Sequence, residues 1–197
     1  MPLGVPLFFD MRYLFFFFFL AQSVFLTAQS HLTFMGIEIS GHEDEFKKHL
    51  EQKGFEYLSS YEHSHAFFGK FANEYVNLFV LSSPKTNVVS KVIVQFPQKE
   101  KWHDLKRDYF NKKELYSSKY VLDKDFEFFS SPYEDGDGYE MRAVASEKCT
   151  YTTFFLAPNG GIILGIDKKK CIVVSYEDTL NTQLSKDELF EKAFDDI

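Results

Sequence analysis

Two histidines one residue apart, His63 and His65, are the first residues in this chain whose spacing could do chemistry. Alternate side chains of a strand share a face, so an H-x-H pair can offer two imidazoles to one metal ion. Zinc needs further ligands, and His42, His49 and His103 stand well away in the sequence. The competing reading of His63-Ser64-His65 is a polar hairpin tip, which its neighbours Tyr61 and Glu62 suit. A second cluster, Asp135-Gly136-Asp137-Gly138 flanked by Glu134 and Glu140, has the oxygen donors calcium prefers. It lacks the third acid and the closing glutamate of an EF-hand loop, and Asp-Gly pairs are ordinary turn formers. No cofactor is expected from either cluster.

Cys149 and Cys171 are the two cysteines of the chain. In an oxidising compartment an even pair reads as a disulfide. The intervening CTYTTFFLAPNGGIILGIDKKKC reads as an up-and-down pair returning to one edge, which favours a Cys149–Cys171 bond. Such a closure contributes about 3 kcal/mol in the chain-entropy account. Two buried, unpaired thiols are the alternative. The chain has no G-x-S-x-G elbow, no P-loop and no G-x-G-x-x-G, which removes several enzyme classes from consideration. Its formal charge of −7 and the lack of a long Lys/Arg run argue against nucleic acid as a partner.

The elements that must hold these residues begin after a hydrophobic leader. Arg12, an apolar run starting at Tyr13, and the small-residue ending Ala28-Gln29-Ser30 have the order of a secretory signal over residues 1–30. Met11 offers an alternative start, and cleavage is expected before His31. The run from Tyr13 to Leu26 is broken by Gln22 and Ser23 and falls short of the roughly 20 apolar residues that span a bilayer. The chain is therefore expected to be secreted or periplasmic, with no stable membrane anchor once the signal is removed.

LTFMGIEIS (32–40) reads as a short strand, with Met35, Ile37 and Ile39 at period two. SGHEDEFKKHLEQKG reads as a helix with a Ser40–Glu43 capping box, Phe46 and Leu50 on one face, and Gly54 as its stop. FEYLSSYE, AFFGKF, YVNLFVLSS and VVSKVIVQF then read as strands. A second helix from Lys101 carries Trp102, Leu105 and Tyr109 on an apolar stripe. FEFFSS, MRAVAS, CTYTTFFLA, GIILGID and CIVVSYE read as further strands, and SKDELFEKAFDDI as a short C-terminal helix with a Ser185–Glu188 box. The fold class is α+β: two helix-plus-four-stranded antiparallel units in tandem, 31–100 and 101–197, packed as one domain. FEYLSSYE (55–62) and FEFFSSPYE (126–134) echo one another at the expected start of each sheet.

FMGIEISGHEDEFKKHLEQKGF and YEDTLN together resemble uncharacterised secreted proteins common in gut bacteria. The tandem element order is similar to the β-lactamase-inhibitor-protein architecture, in which two such repeats present a concave sheet to a partner. That resemblance implies inhibition or binding of another protein. The chain departs from it in holding both cysteines in its second half, where the family has a disulfide in each repeat. Helices over one sheet face would leave Tyr57, Tyr75, Tyr139 and Tyr151 to line the other. The expected function is a non-enzymatic interaction protein that meets a macromolecule, a protein in preference to a carbohydrate. A small metal-dependent or hydrolytic enzyme using His63 and His65, and a structural component of envelope assembly, are the alternatives.

Overall fold

The structure is a computed structural model and describes residues 30–195; the expected signal segment, apart from Ser30, lies outside the described residues. Residues Thr33–Phe34 (β1) and Ile37–Glu38 (β2) pair as a small hairpin. Met35 and Gly36 turn it with φ of 51° and 78°, the left-handed geometry that a two-residue hairpin needs. The expected single strand over 32–40 is thus folded back on itself: the turn takes Met35 out of the period, while Phe34, Ile37 and Ile39 are buried.

Helix α1, Glu43–Gln52, has Glu43, Asp44 and Glu45 in its first turn, where they complement the helix dipole. Phe46 and Leu50 form its buried stripe. Its cap is His42, whose Nδ1 accepts from Asp44 N at 3.3 Å, and not the expected Ser40. Gly54 at φ 88° ends it, and Phe55 N returns to the Leu50 carbonyl.

Four strands follow: β3 (Glu56–Tyr61), β4 (Ser64–Phe71), β5 (Glu74–Ser82) and β6 (Val89–Gln95). Helix α2 (Trp102–Ser117) leads to β7 (Val121–Phe129). MRAVAS, expected as a strand, lies in helix α3 (Glu140–Ala145) and the turn after it, with Ala143 and Val144 buried. Strands β8 (Cys149–Ala157), β9 (Gly160–Ile166) and β10 (Ile172–Asp178) then run into α4 (Thr179–Asp195).

The strands form one continuous antiparallel sheet in the order β3-β4-β5-β6-β10-β9-β8-β7. Its seam is the β6–β10 pairing, from Gln95 opposite Val173 to Lys91 opposite Glu177. Phe67, Leu78, Val92, Val94, Val174 and Leu164 lie on one face, are fully buried, and share a core with Phe46, Leu50, Leu105 and Tyr109 of the helices. Gly69 lets the sheet close under Phe55, since a Cβ there would stand 2.5 Å from the Phe55 ring.

The C-terminal helix begins well before the expected Ser185. Asp178, fully buried at the end of β10, accepts from Asn181 N at 3.0 Å and so caps α4. Its other oxygen accepts from Leu32 N at 2.8 Å. Asn181 then donates to the Ile39 and Val89 carbonyls, tying the helix to the hairpin and the sheet. Glu188 does not cap its own helix but reaches the loop before β6.

The two cysteines are free thiols. Cys149 starts β8 and Cys171 directly precedes β10, and β9 lies between those strands. Two strand spacings amount to about 9.5 Å, beyond the Cα separation a disulfide accepts. The expected bond fails because Cys171 follows a second turn, Asp167–Lys170, and so joins a third strand instead of closing a pair. Burial pushes the Cys149 thiol up to about 12 and raises that of Cys171, so both stay protonated.

Candidate functional site

The helices leave the second face of the sheet open, and its composition follows from the register. Antiparallel partners share a face, so one rung can be traced across the sheet: Ala66, Phe79, Ile93, Ser175, Ile163 and Phe154. A second rung runs from Phe68 through Asn77, Gln95, Val173, Gly165 and Thr152 to Phe126. Asn77 is exposed, while Phe79, Ile93, Ser175, Ile163, Gln95 and Val173 in the centre of the face are half-buried. They surround a depression of about 300 Å³ lined by strand residues and Asp167, with Gln95 donating to Asp167 at 3.1 Å on its rim.

The ends of this face carry exposed aromatics. At one end Phe68 and Tyr75 stack, with ring centroids 5.5 Å apart and planes within 9°. At the other, Phe126 meets Phe154 edge-on at 6.2 Å, beside Phe128 and Val121. Phe68, Tyr75, Phe126, Phe128 and Val121 are all exposed, from 40% to 67%. Charge on the face is largely balanced: Lys91 pairs with Glu177 across the seam at 2.7 Å.

Of the four tyrosines expected here, only Tyr75 lies on this face. Tyr57 is on the helix side, under the Lys47 ammonium at 4.6 Å and beside Phe67. Tyr151 is buried against Trp102 and Tyr109. Tyr139 is exposed at the start of α3, off the sheet. Three Phe-Phe doublets were the signal missed. A doublet within a strand must put one ring on each face. Phe67, Phe129 and Phe155 pack into the core, which leaves Phe68, Phe128 and Phe154 on the open side.

His63 and His65 are separated by function as well as by position. His63 sits in the β3–β4 turn, where its carbonyl accepts from Ser82 N. His65 is buried on the helix side, with Nε2 at 3.0 Å from Glu43 Oε2. That contact is an electrostatic approach off the hydrogen-bond direction, and Nδ1 has no hydrogen-bond partner among the described residues. Ser82 Oγ donates to the same Glu43 oxygen. The carboxylate therefore stands between Ser82 and His65, so the histidine is not placed to take a proton from the hydroxyl. Burial raises the Glu43 pKa, but the Ser82 hydrogen bond and the His65 imidazole outweigh it and hold the carboxyl below its ordinary value. No group of three His, Cys, Asp or Glu side chains suited to a metal ion occurs among the described residues.

The acids at 134–140 serve the local chain. Asp135 accepts from Lys106 Nζ at 2.5 Å and from Trp102 Nε1 at 3.0 Å, which lowers its pKa. Asp137 accepts from the Glu134 and Tyr139 amides, and Glu140 from Gly136 N. No helix among the described residues is long and apolar enough to cross a membrane. Compared with protein-family models, curated proteins and solved structures, the chain has no significant match.

Proposed function

We propose that this is a secreted, non-enzymatic interaction protein that presents the open face of its sheet to another protein. The observation that carries the reading is the pair of exposed aromatic clusters, Phe68–Tyr75 and Phe126–Phe128, at opposite ends of one face with an apolar centre between them. A contiguous apolar surface of this kind marks a contact site. Its breadth suits a protein, since a carbohydrate site gathers polar groups around one stacked ring. The alternation along β4 and β8 supplies the apolar rungs without weakening the core, because the opposite residues remain buried.

The two runs of four strands are read here as tandem units, α1 with β3–β6 and α2 with β7–β10, joined edge to edge. That is the element order in which the β-lactamase-inhibitor-protein architecture offers a sheet to a protein partner, and it favours the same face. Secretion rests on Arg12, the apolar run after it and the Ala28-Gln29-Ser30 ending.

Photo-crosslinking tests the proposal. Benzoylphenylalanine is placed at position 68 or 126, and at exposed Arg107 on α2 as a control, and the protein is exposed to native extracellular and envelope fractions. A discrete adduct from 68 and 126 but not from 107 is expected, and Phe68→Asp together with Tyr75→Asp should abolish the adduct from 126. Adducts at 107 alone, or none from the sheet positions, would overturn the reading.

A further inference from the structure

On the opposite, helix-bearing side of the sheet a cavity of about 530 Å³ opens between α2, the β4–β5 turn and the end of β6. Its walls are aromatic: Phe71, Phe96, Tyr116, Tyr120 and Tyr176. Phe71 and Phe96 lie 6.2 Å apart, and Tyr116 stacks on Tyr120 at 6.1 Å. The size and the mostly apolar lining are those of a small-molecule pocket.

Charge on the lining cancels. Glu74 and Asp108 are the acids, and Lys112 and Lys119 the bases. Lys112 pairs with Glu74 at 2.6 Å and lies 3.9 Å over the Phe96 ring, while Asp108 is held by Lys99 at 2.6 Å. A charged guest beside Glu74, Lys112 or Asp108 would have to break one of these pairs. Exposed Lys119 has no such pair among the described residues, its ammonium lying 5.1 Å over the Tyr120 ring. The cost of burying charge against the aromatic walls is therefore what favours a neutral guest.

Tyr116 and Tyr176 add a directional element. Both are buried and both line the cavity, and their hydroxyl oxygens are 2.5 Å apart. Burial raises both pKa values, that of Tyr116 to about 12, so each hydroxyl carries its proton at neutral pH. Two hydroxyls hold two protons, and the bond between them uses one. The second proton has no acceptor among the described residues. A buried donor left unmade is unfavourable, and an acceptor on a guest would relieve it.

We infer that this cavity is a binding site for a neutral, ring-bearing small molecule with a carbonyl or ether oxygen, whose rings pack on Phe71, Phe96 and Tyr120 and whose oxygen accepts from the Tyr116–Tyr176 pair. This site is independent of the open sheet face, which lies on the other side of the sheet.

The probe is 6-propionyl-2-(dimethylamino)naphthalene, a neutral ring ketone whose emission reports its surroundings; its 6-propyl analogue lacks the oxygen. The wild-type chain is expected to bind the ketone saturably and about tenfold more tightly than the propyl compound, the discrimination one buried hydrogen bond supports. Tyr116→Phe and Tyr176→Phe singly should keep the preference, because the remaining hydroxyl still has a free proton. The double variant should reduce the ratio to about one while still binding the rings. Leu115→Trp, an exposed change at the cavity mouth, should weaken both compounds and serves as the test if the double variant does not fold. No saturable binding by wild type, an unchanged ratio in the folded double variant, or indifference to Leu115→Trp would each overturn the inference.

Discussion

Glu43 illustrates how a residue can satisfy a local sequence rule and yet serve a distant purpose. As an acid in the first turn of α1 it favours the helix, but its carboxylate is directed to Ser82 and His65 on the sheet. Because its folded pKa is below the ordinary 4.5, the ionised form is preferred on folding. The resulting stability is present above that value and is lost as pH falls through the folded pKa. Glu43→Gln keeps an acceptor for Ser82 but removes the titration. Thermal melting between pH 6 and 3 should show the wild-type midpoint falling more steeply than that of the variant. At pH 6 the variant should be less stable by about 1–2 kcal/mol, the range for a lost charge-assisted bond. Parallel pH profiles would refute this role for Glu43. The sequence reading matched His65 with His63 because their spacing was visible, whereas its actual neighbour depends on how α1 crosses β4.

At the level of elements, α4 acts as a strap through one side chain. Glu188, nearly buried, accepts from Lys85 N at 2.7 Å, Thr86 N at 3.2 Å and Thr86 Oγ1 at 2.6 Å, and these bonds hold its pKa down against burial. Glu188→Ala should lower stability by about 1–3 kcal/mol, because two amides lose their acceptor. Hydrogen exchange should quicken across residues 83–88 while the α2 amides keep their protection; unchanged loop exchange would contradict the strap. Ser185 and Glu188 have capping-box spacing, so the sequence alone favoured a later start; the buried Asp178 cap became visible only with the hairpin it also serves. Strand existence was legible from alternating apolar runs and polar turns. The facing of strands was less so. The echo of FEYLSSYE in FEFFSSPYE falls on β3 and β7, the two edges of the sheet. Yet Glu56 lies opposite the exposed Phe68, and Glu127 opposite the buried Tyr151, so matched letters point to opposite faces. A one-residue offset reverses every side chain of a strand, and no letter in the repeat records that offset.

Across the whole molecule, the β6–β10 seam decides whether the two runs of strands behave as one body. Val92 and Val94 on β6 and Val174 on β10 are fully buried, and Val94 is directly opposite Val174. Each such side chain contributes about 1.5–3 kcal/mol by burial, and none can be exposed without opening both halves of the core. Cooperative unfolding should follow, with a single transition for the described region. Trp102, packed on Phe129 and Tyr151, reports on the β7–β10 side. A Tyr57→Trp, Trp102→Phe variant moves the reporter to the β3–β6 side, where Tyr57 packs on Phe67. Urea curves followed by the two tryptophans should share one midpoint once each is compared with the far-ultraviolet dichroism of its own variant. Val174→Ala should shift both curves together by about 1–3 kcal/mol, the usual range for a small cavity in a core. Two separated midpoints, or a Val174→Ala shift confined to the Trp102 reporter, would mean that the halves unfold independently and that the seam joins two bodies by hydrogen bonds alone.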